Sequence, residues 1–456
     1  MAESKQADIL NLAEASELVR AKKLTPVELT DACLERIEAL NPELNAFITV
    51  TSELALEQAR AAEAEIQRGQ WRGPLHGIPL SLKDLIDVAG VPTTAASKVF
   101  ENRVPTEDAE VVRRLKAAGA VIIGKNNLHE CAYGGSGLIS RYGPAQNPRY
   151  PGRITGGSSS GSAAAVAAGL CYGAIVSDTA GSIRLPAAFC GVVGLKPTYG
   201  LVSARGVMPL SWALDHIGPM ARSVTDVTLI LAAIAGYDSA DPTSREIAVE
   251  DYAAAVRAPS RKLRVGVPRK FFYEDLDPEV TRVVEDALKV VAGLAAEMRE
   301  VSVPVDNDRT VTKAETYAYH QPYLSERADK YDPETLRRIN SGAEVSVRDY
   351  VAKLHELELA RRSAADIFRD VDVVITPTAP VPPPLVAELQ ADMSRLRERE
   401  LLMLRNTRPF NVLGLPAISV PCGETSAGLP VALQIAGPAG GEARVLSFAR
   451  TFENAR

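Results

Sequence analysis

Apolar positions along the chain change period several times, and each change marks an element. Thr25-Pro26 followed by VELTDACLERIEAL has the spacing of an amphipathic helix, with a threonine placed to cap it and a proline in its first turn. Residues 52 to 69 form a second, Ala/Glu-rich stretch of helical period, so the front of the protein, about residues 1–70, is expected to be helical. From Gly77 the texture shifts to IPLSL, then EDAEVVRRLKAAGA, then VIIG. Units of this size are β-α-β elements and predict a sheet with crossover helices. Between Tyr133 and Gly161 the chain fills with Gly, Ser, Pro and Asn. Such a loop inside a compact domain is more often functional than idle. SGSAAAVAAGL then reads as a helix, AIVSD as a buried strand and TAGSIRLPAAFCG as a turn-rich return. Residues 236 to 262 are polar and aperiodic, a connection between two halves. After them come a strand (LRVGVP), several helices and three late apolar strands, VDVVITP, PAISVPC and LPVALQIAG.

This succession predicts one large α/β domain on a mixed, twisted central β-sheet surrounded by helices, with the active site at the loop ends of central strands. Two separable domains divided near residue 240 are the alternative. Composition narrows the class: 46% hydrophobic and 24% charged residues over 456 positions is ordinary globular usage, neither disordered nor fibrous. A net charge of -6, without a Lys/Arg run, argues against direct nucleic acid binding and leaves a small molecule as the expected partner. Five cysteines without C-x-x-C spacing, an odd number that cannot all pair, fit a reducing compartment, and a cytoplasmic location is expected. The polar start MAESKQADILNLAEASELVR lacks the pattern of a secretory leader, and no apolar stretch of about twenty residues predicts a membrane span.

Candidate chemistry concentrates in residues 77 to 218. Lys83 lies within the apolar run HGIPLSLKDLIDVAG, where strand alternation puts Ser81, Lys83 and Leu85 on one face and Leu82 and Asp84 on the other. A lysine snorkelling from a strand end is the commoner outcome for such a position. The sharper reading is a desolvated amine whose lowered pKa leaves a neutral base near pH 7, able to activate a hydroxyl. In RITGGSSSGSAAAVAAG a Gly/Ser loop runs directly into an Ala-rich helix. No Lys-Ser/Thr pair closes the glycine run, which excludes a Walker phosphate loop. Gly157-Ser158-Ser159-Ser160-Gly161 formally satisfies G-x-S-x-G, but the preceding NPRYPG is loop-like, and an elbow serine should follow a buried strand. Helix capping explains the helix start but not three successive hydroxyls, which a hydroxyl relay explains better. In the third segment, Thr179, Ala180, Gly181 and Ser182 form a turn after an apolar strand. Their N–H groups are expected to converge as an oxyanion hole around Ser182; an ordinary glycine turn with a solvated serine is the alternative.

Residues Gly77 to Pro219 resemble the amidase signature family, carrying GIPLSLKD, GKNNLHE, GGSSSGSAAAVAAG, SDTAGSIRLPAAFCGVVGLKPTYG and LDHIGP in family order. VDVVITPTAP, GLPAISVPCG and GLPVALQIAGP extend the likeness over most of the chain, whereas the N-terminal helices and residues 236 to 360 match less distinctively. The resemblance implies the amidase signature fold and a triad of a lysine, a serine in a cis peptide bond and a nucleophilic serine, which fall on Lys83, Ser158 and Ser182. The 24-residue separation of the two serines (182 − 158) matches the family and selects Ser158 over Ser159 and Ser160. Asp178 and Arg184, flanking the turn, are read as an ion pair bracing it, with ordinary surface charge as the alternative. Ser159 is given a supporting role. Two positions depart from the family pattern: Ser160 stands where glycine is usual, and Ala180 replaces the first glycine of a Gly-Gly-Ser turn. Alanine keeps its N–H but dislikes positive φ, so a working triad with an altered pocket is expected. Cys131 is read as a small core residue rather than a reactive thiol.

The implied activity is hydrolysis of a carboxamide through a Ser182 acyl-enzyme, with neither metal nor organic cofactor. Two alternatives are carried: the glutaminase component of a tRNA-dependent amidotransferase (its A subunit), which works with a partner, and a decayed scaffold. Tyr133, Gly134, the segment 315 to 325 and the loop 380 to 410 are the expected lining of the acyl pocket, and a homo-oligomer is compatible with the sequence.

Overall fold

Thr25 caps the helix Pro26–Leu44 through a reciprocal pair of hydrogen bonds with Glu28, and Pro26 occupies the first turn, where its missing N–H costs nothing. The helix ends on Asn45 in the left-handed region (φ 50°). The computed structural model describes residues 9–258 and 262–456. The first eight residues of the polar start, and residues 259–261 of the aperiodic connection, lie outside the described residues.

Eleven strands build one mixed sheet: β1 (Phe47–Val50), β2 (Pro79–Lys83), β3 (Val121–Asn126), β4 (Gly173–Asp178), β5 (Val193–Lys196), β6 (His216–Ala221), β7 (Arg264–Val267), β8 (Glu297–Glu300), β9 (Val373–Pro377), β10 (Ala417–Glu424) and β11 (Pro430–Ala436). Their order across the sheet is β1-β3-β2-β4-β6-β5-β10-β11-β9-β7-β8. Strands from either side of residue 240 meet where β5 pairs with β10, so the sheet is continuous across the proposed division and the chain is a single α/β domain. Strands β2, β3, β4, β6 and β11 are buried along their whole length, as expected of strands covered on both faces. The edge strand β8, EMRE, is charged and largely exposed, which blunts the edge against pairing with another chain.

Three elements differ from the pattern reading. The front is not wholly helical: Phe47–Val50 pairs antiparallel with β3, a strand too short for its period to register. The turn-rich return contains a fully buried helix, Arg184–Cys190, whose Pro186 falls in the first turn, where proline is tolerated. Strand β6 was hidden by Gly218 and Pro219, residues that argue against a central strand; Pro219 is accommodated because the β5–β6 register spans only Met220 and Ala221.

The arrangement that matters for the site is the parallel pairing of β2 with both β3 and β4. Parallel neighbours end on the same side, so Lys83, Asn126 and Asp178 all emerge at one rim of the sheet, where ligands bind in open α/β sheets. The helix Ser160–Ala167 packs over β2, β3 and β4 and returns the Gly/Ser loop to that rim. Close approach explains its small residues. A Cβ on Gly161 would strike the Ala46 carbonyl oxygen and come within 2.6 and 2.7 Å of the Asn127 backbone.

These contacts set a paired test. Gly161→Ala should lower stability by about 1–3 kcal/mol, since backbone atoms would have to move. Gly293→Ala, in the helix Pro278–Leu294 with nothing within 4 Å of the new methyl, should raise it by about 0.5 kcal/mol. Denaturant midpoints of the two variants against the parent measure both.

Candidate active site

Three lysines are fully buried among the described residues, and their partners separate them. Lys125 is paired with the buried carboxylate of Asp84 at 3.0 Å. Lys196 donates to the carbonyls of Pro197 and Leu415. Lys83 meets only hydroxyls: its Nζ lies 2.7 Å from Ser158 Oγ and 3.0 Å from Ser177 Oγ. Burial in a site that offers no carboxylate contact pushes its pKa down to about 7, against a weaker upward pull from Asp215 and Asp178. Asp215 itself accepts from Thr179 Oγ1 and from the Leu210 and Ser211 N–H groups, and burial lifts its carboxyl to about 6. The desolvated amine expected of Lys83 is therefore found, and the snorkelling alternative is not.

The Gly157–Ser158 peptide is cis. Its loop is fixed by Gly157 N–H donating to Gly135 O at 2.7 Å and His129 N–H donating to Ser158 O at 2.9 Å. Only glycine fits at 157, where a Cβ would lie 2.8 Å from both Gly134 O and Gly137 N. Ser159 is buried, with Oγ 3.4 Å from Ser177 O, and Ser160 opens the helix with a buried Oγ that has no hydrogen-bond partner. The serine run is thus divided: Ser158 faces the lysine while its two neighbours do not.

The turn after β4 is held by a buried ion pair. Arg184 donates to Asp178 at 2.9 and 3.0 Å, and both side chains are fully buried, so the bracing reading holds and the surface-charge alternative does not. Burial opposes ionisation of Asp178, but the Arg184 guanidinium and the Asn411 amide outweigh it and hold the carboxyl well below its usual range. Arg184 also donates to Thr407 O, Gln434 Oε1 and Asn411 Oδ1, tying the turn to the last third of the chain.

This brace corrects the four-amide oxyanion hole. Gly181 N–H donates to Asp178 Oδ1 at 2.7 Å and is committed to fixing the turn. The N–H groups of Thr179, Ala180 and Ser182 make no hydrogen bond within the described residues. Positive φ falls on Gly181 (136°), not on Ala180, so the strain anticipated for alanine does not arise. A Cβ on Gly181 would also collide with Thr407 Oγ1 and Leu404.

Ser182, 6% exposed, lines a narrow cavity together with Tyr133, Gly134, Thr179 and Ala180. Tyr133 and Gly134 thus stand where expected. Loop 380–410 contributes Arg397 and Leu404, whereas the lining from the helix Thr310–Arg327 is Thr312, one turn before the anticipated segment 315–325. The loop carrying Tyr133 is anchored by Glu400, which accepts from Ser136 Oγ and from Arg338, itself donating to Tyr133 O. Cys131 is buried, its thiol pushed well up, in agreement with a core role. Ser177, Asp215, Asn411 and Glu400 escaped the pattern reading. Ser177, on the strand that ends at the turn, and Asp215, within LDHIGP, carried a local signal; Asn411 and Glu400 are distant in sequence.

Residues 28–446 match the family described as Amidase. The chain belongs to the amidase signature family. A relative from Geobacter sp. (strain M21), the A subunit of glutamyl-tRNA(Gln) amidotransferase, is 39% identical, with 97% of this chain and 96% of that protein covered. Among solved structures, the native peptide amidase of Stenotrophomonas maltophilia is 33% identical with a TM-score of 0.83, covering 98% of this chain and 97% of its own. The 6-aminohexanoate cyclic dimer hydrolase complexed with substrate is 31% identical with a TM-score of 0.88, at 98% and 97% coverage. As a member of this family the chain is a hydrolase-type enzyme on a shared α/β scaffold. No helix among the described residues is long and apolar enough to cross a membrane.

Because the Lys83 pKa is lowered on folding, the folded state binds its proton less readily than the unfolded chain. The resulting destabilisation is absent above 10.5, grows as pH falls toward about 7 and is constant below. Lys83→Met removes it. The difference in Tm, variant minus parent, should therefore increase as pH is lowered over that interval, as thermal unfolding scans in a pH series would register.

Proposed function

We propose that the chain hydrolyses a carboxamide C–N bond through a Ser182 acyl-enzyme. What carries the reading is the buried Lys83 amine, held near neutrality and in contact with hydroxyls alone. Lys83 Nζ and Ser158 Oγ lie 2.7 Å apart, and for the neutral amine to act as base the Ser158 hydroxyl must donate across that contact. Lys83 takes the Ser158 proton as Ser158 takes that of Ser182, and the Ser182 oxygen attacks the amide carbon. The oxyanion is held by the N–H groups of Thr179, Ala180 and Ser182, a preorganised arrangement in which a single donor is typically worth about 3–4 kcal/mol. Ser158 returns its proton to the departing nitrogen, ammonia or amine leaves, and the same relay then activates the water that releases the carboxylic acid. Asp178 and Arg184 position the turn and touch no substrate. Ser159 supports the strand end rather than the relay.

A second reading has independent support. Relatives at 39–41% identity are the A subunits of glutamyl-tRNA(Gln) amidotransferases, aligned over 96–97% of their length, and sequence similarity favours that role over a stand-alone amidase. In it the same Ser182 chemistry would release ammonia from an amide donor, and a protein partner would be required. The two readings share the hydrolytic step and differ in whether the isolated chain completes it. Five free, buried cysteines agree with a cytoplasmic setting for either. A scaffold without activity has no observation in its favour.

Ser182→Ala should abolish ammonia release and labelling by a fluorophosphonate, and Lys83→Ala should reduce turnover by at least about a hundredfold, the usual range for a general base. Ser159→Ala should keep most of the activity. Labelling of Ser182→Ala at the level of the parent would overturn the assignment of the nucleophile. For the parent, kcat/KM should rise with pH through an apparent pKa near 7 as Lys83 loses its proton, and level above it; initial rates of ammonia release from simple amides across pH 5.5–9, roughly two units either side, measure this. Turnover by the isolated chain supports the stand-alone role, and turnover only with a partner supports the amidotransferase role.

A further inference from the structure

The cavity beside Ser182 carries charge of one sign. Arg309 and Arg397 line it, and no Asp or Glu does. The guanidinium of Arg309 makes no hydrogen bond or ion pair with any described residue. Arg397 lies over the Tyr133 ring, 5.3 Å from its centroid. Its nearest carboxylate oxygen, Glu400 Oε2 at 3.5 Å, is already held by Arg338 at 2.7 Å. Behind them Arg408 donates one nitrogen to Asp308 O, and its Nε and Nη1 are buried without a hydrogen-bond partner. Desolvation, reinforced by Arg408 and Arg397, pushes the Arg309 pKa down to about 8. Glu400, Asp306 and Asp308 act on these cations from outside the cavity, but no carboxylate lines it, and guanidinium groups suit a bound carboxylate through paired N–H donors.

We infer that the substrate is the terminal amide of a short dicarboxylic acid, with its free carboxylate held by Arg309 and Arg397 and with no ammonium beside it. The inference rests on the hydrolytic role of Ser182: when the leaving group is ammonia, the carboxylate must belong to the acyl part. An α-amino acid amide such as glutamine offers the same carboxylate but brings a cation next to two guanidinium groups, where no acid among the lining residues offsets it. A neutral amide leaves the arginines unpaired.

Glutaramate, glutamine and pentanamide separate these cases, because they share a chain length and differ in carboxylate and ammonium. The parent protein should hydrolyse glutaramate with kcat/KM at least about tenfold above either competitor, the worth of one charge-assisted hydrogen bond. Arg309→Gln should shrink that advantage to about threefold or less, mainly through KM, and Arg309→Lys should restore part of it. Glutamine or pentanamide matching glutaramate in the parent would overturn the inference while leaving hydrolysis at Ser182 intact. Calorimetric binding of glutarate to Ser182→Ala supplies a readout independent of turnover. Binding that disappears in the double variant with Arg309→Gln supports the anion site even if no amide is hydrolysed; absence of binding to Ser182→Ala counts against it.

Discussion

An amine stripped of water and denied a carboxylate contact is the constraint around which this site is organised. Lys83 is on β2 because the strand is covered on both faces, and it reaches hydroxyls because β4 runs parallel to β2 and ends at the same rim. The contrast with Lys125 shows what a different neighbour would do: one buried carboxylate at 3.0 Å gives that lysine a counter-charge and a structural role. A comparable partner beside Lys83 would hold its proton in place at neutral pH. The nearest acids, Asp178 and Asp215, are occupied instead, the first by Arg184 and backbone N–H groups, the second by Thr179 and two further N–H groups.

The second organising element is the Asp178–Arg184 pair. Buried ion pairs contribute little net stability, since desolvation offsets much of their attraction, but breaking one strands a charge. Here the pair sets geometry. Asp178 consumes Gly181 N–H and Ile183 N–H, fixing the direction in which the remaining N–H groups of the turn point. Arg184 extends the hold to Thr407, Asn411 and Gln434, residues more than two hundred positions away. The turn that carries Ser182 is thereby tied to the last third of the chain.

Charge is distributed differently around Lys83 and in the cavity lined by Ser182. Toward Lys83 the environment favours the neutral state of a base. Toward Tyr133 it gathers guanidinium groups around a cavity lined by no acid. In the proposed function the first property serves the reacting atoms and the second the identity of what is bound. Similarity to a glutamyl-tRNA(Gln) amidotransferase A subunit and to a peptide amidase extends over 97% and 98% of the chain, so the shared fold does not by itself discriminate among their substrates.

Much of the proposed relay was legible in the sequence, because its members lie in local patterns: Lys83 inside an apolar run, Ser158 in a Gly/Ser loop opening a helix, Ser182 in a glycine turn after a strand. Local patterning fixes such features since strand burial, helix onset and turn geometry depend on near neighbours. The helix Arg184–Cys190 and strands β1 and β6 were missed because tertiary covering overrides weak or interrupted periods there. That Gly181 N–H belongs to Asp178, that Asn411 secures that carboxylate, and that Arg309 and Arg397 share a cavity with Ser182 were decided by folding alone. Coulomb and hydrogen-bond partners act through space, and sequence distance carries no information about which charges will share a cavity.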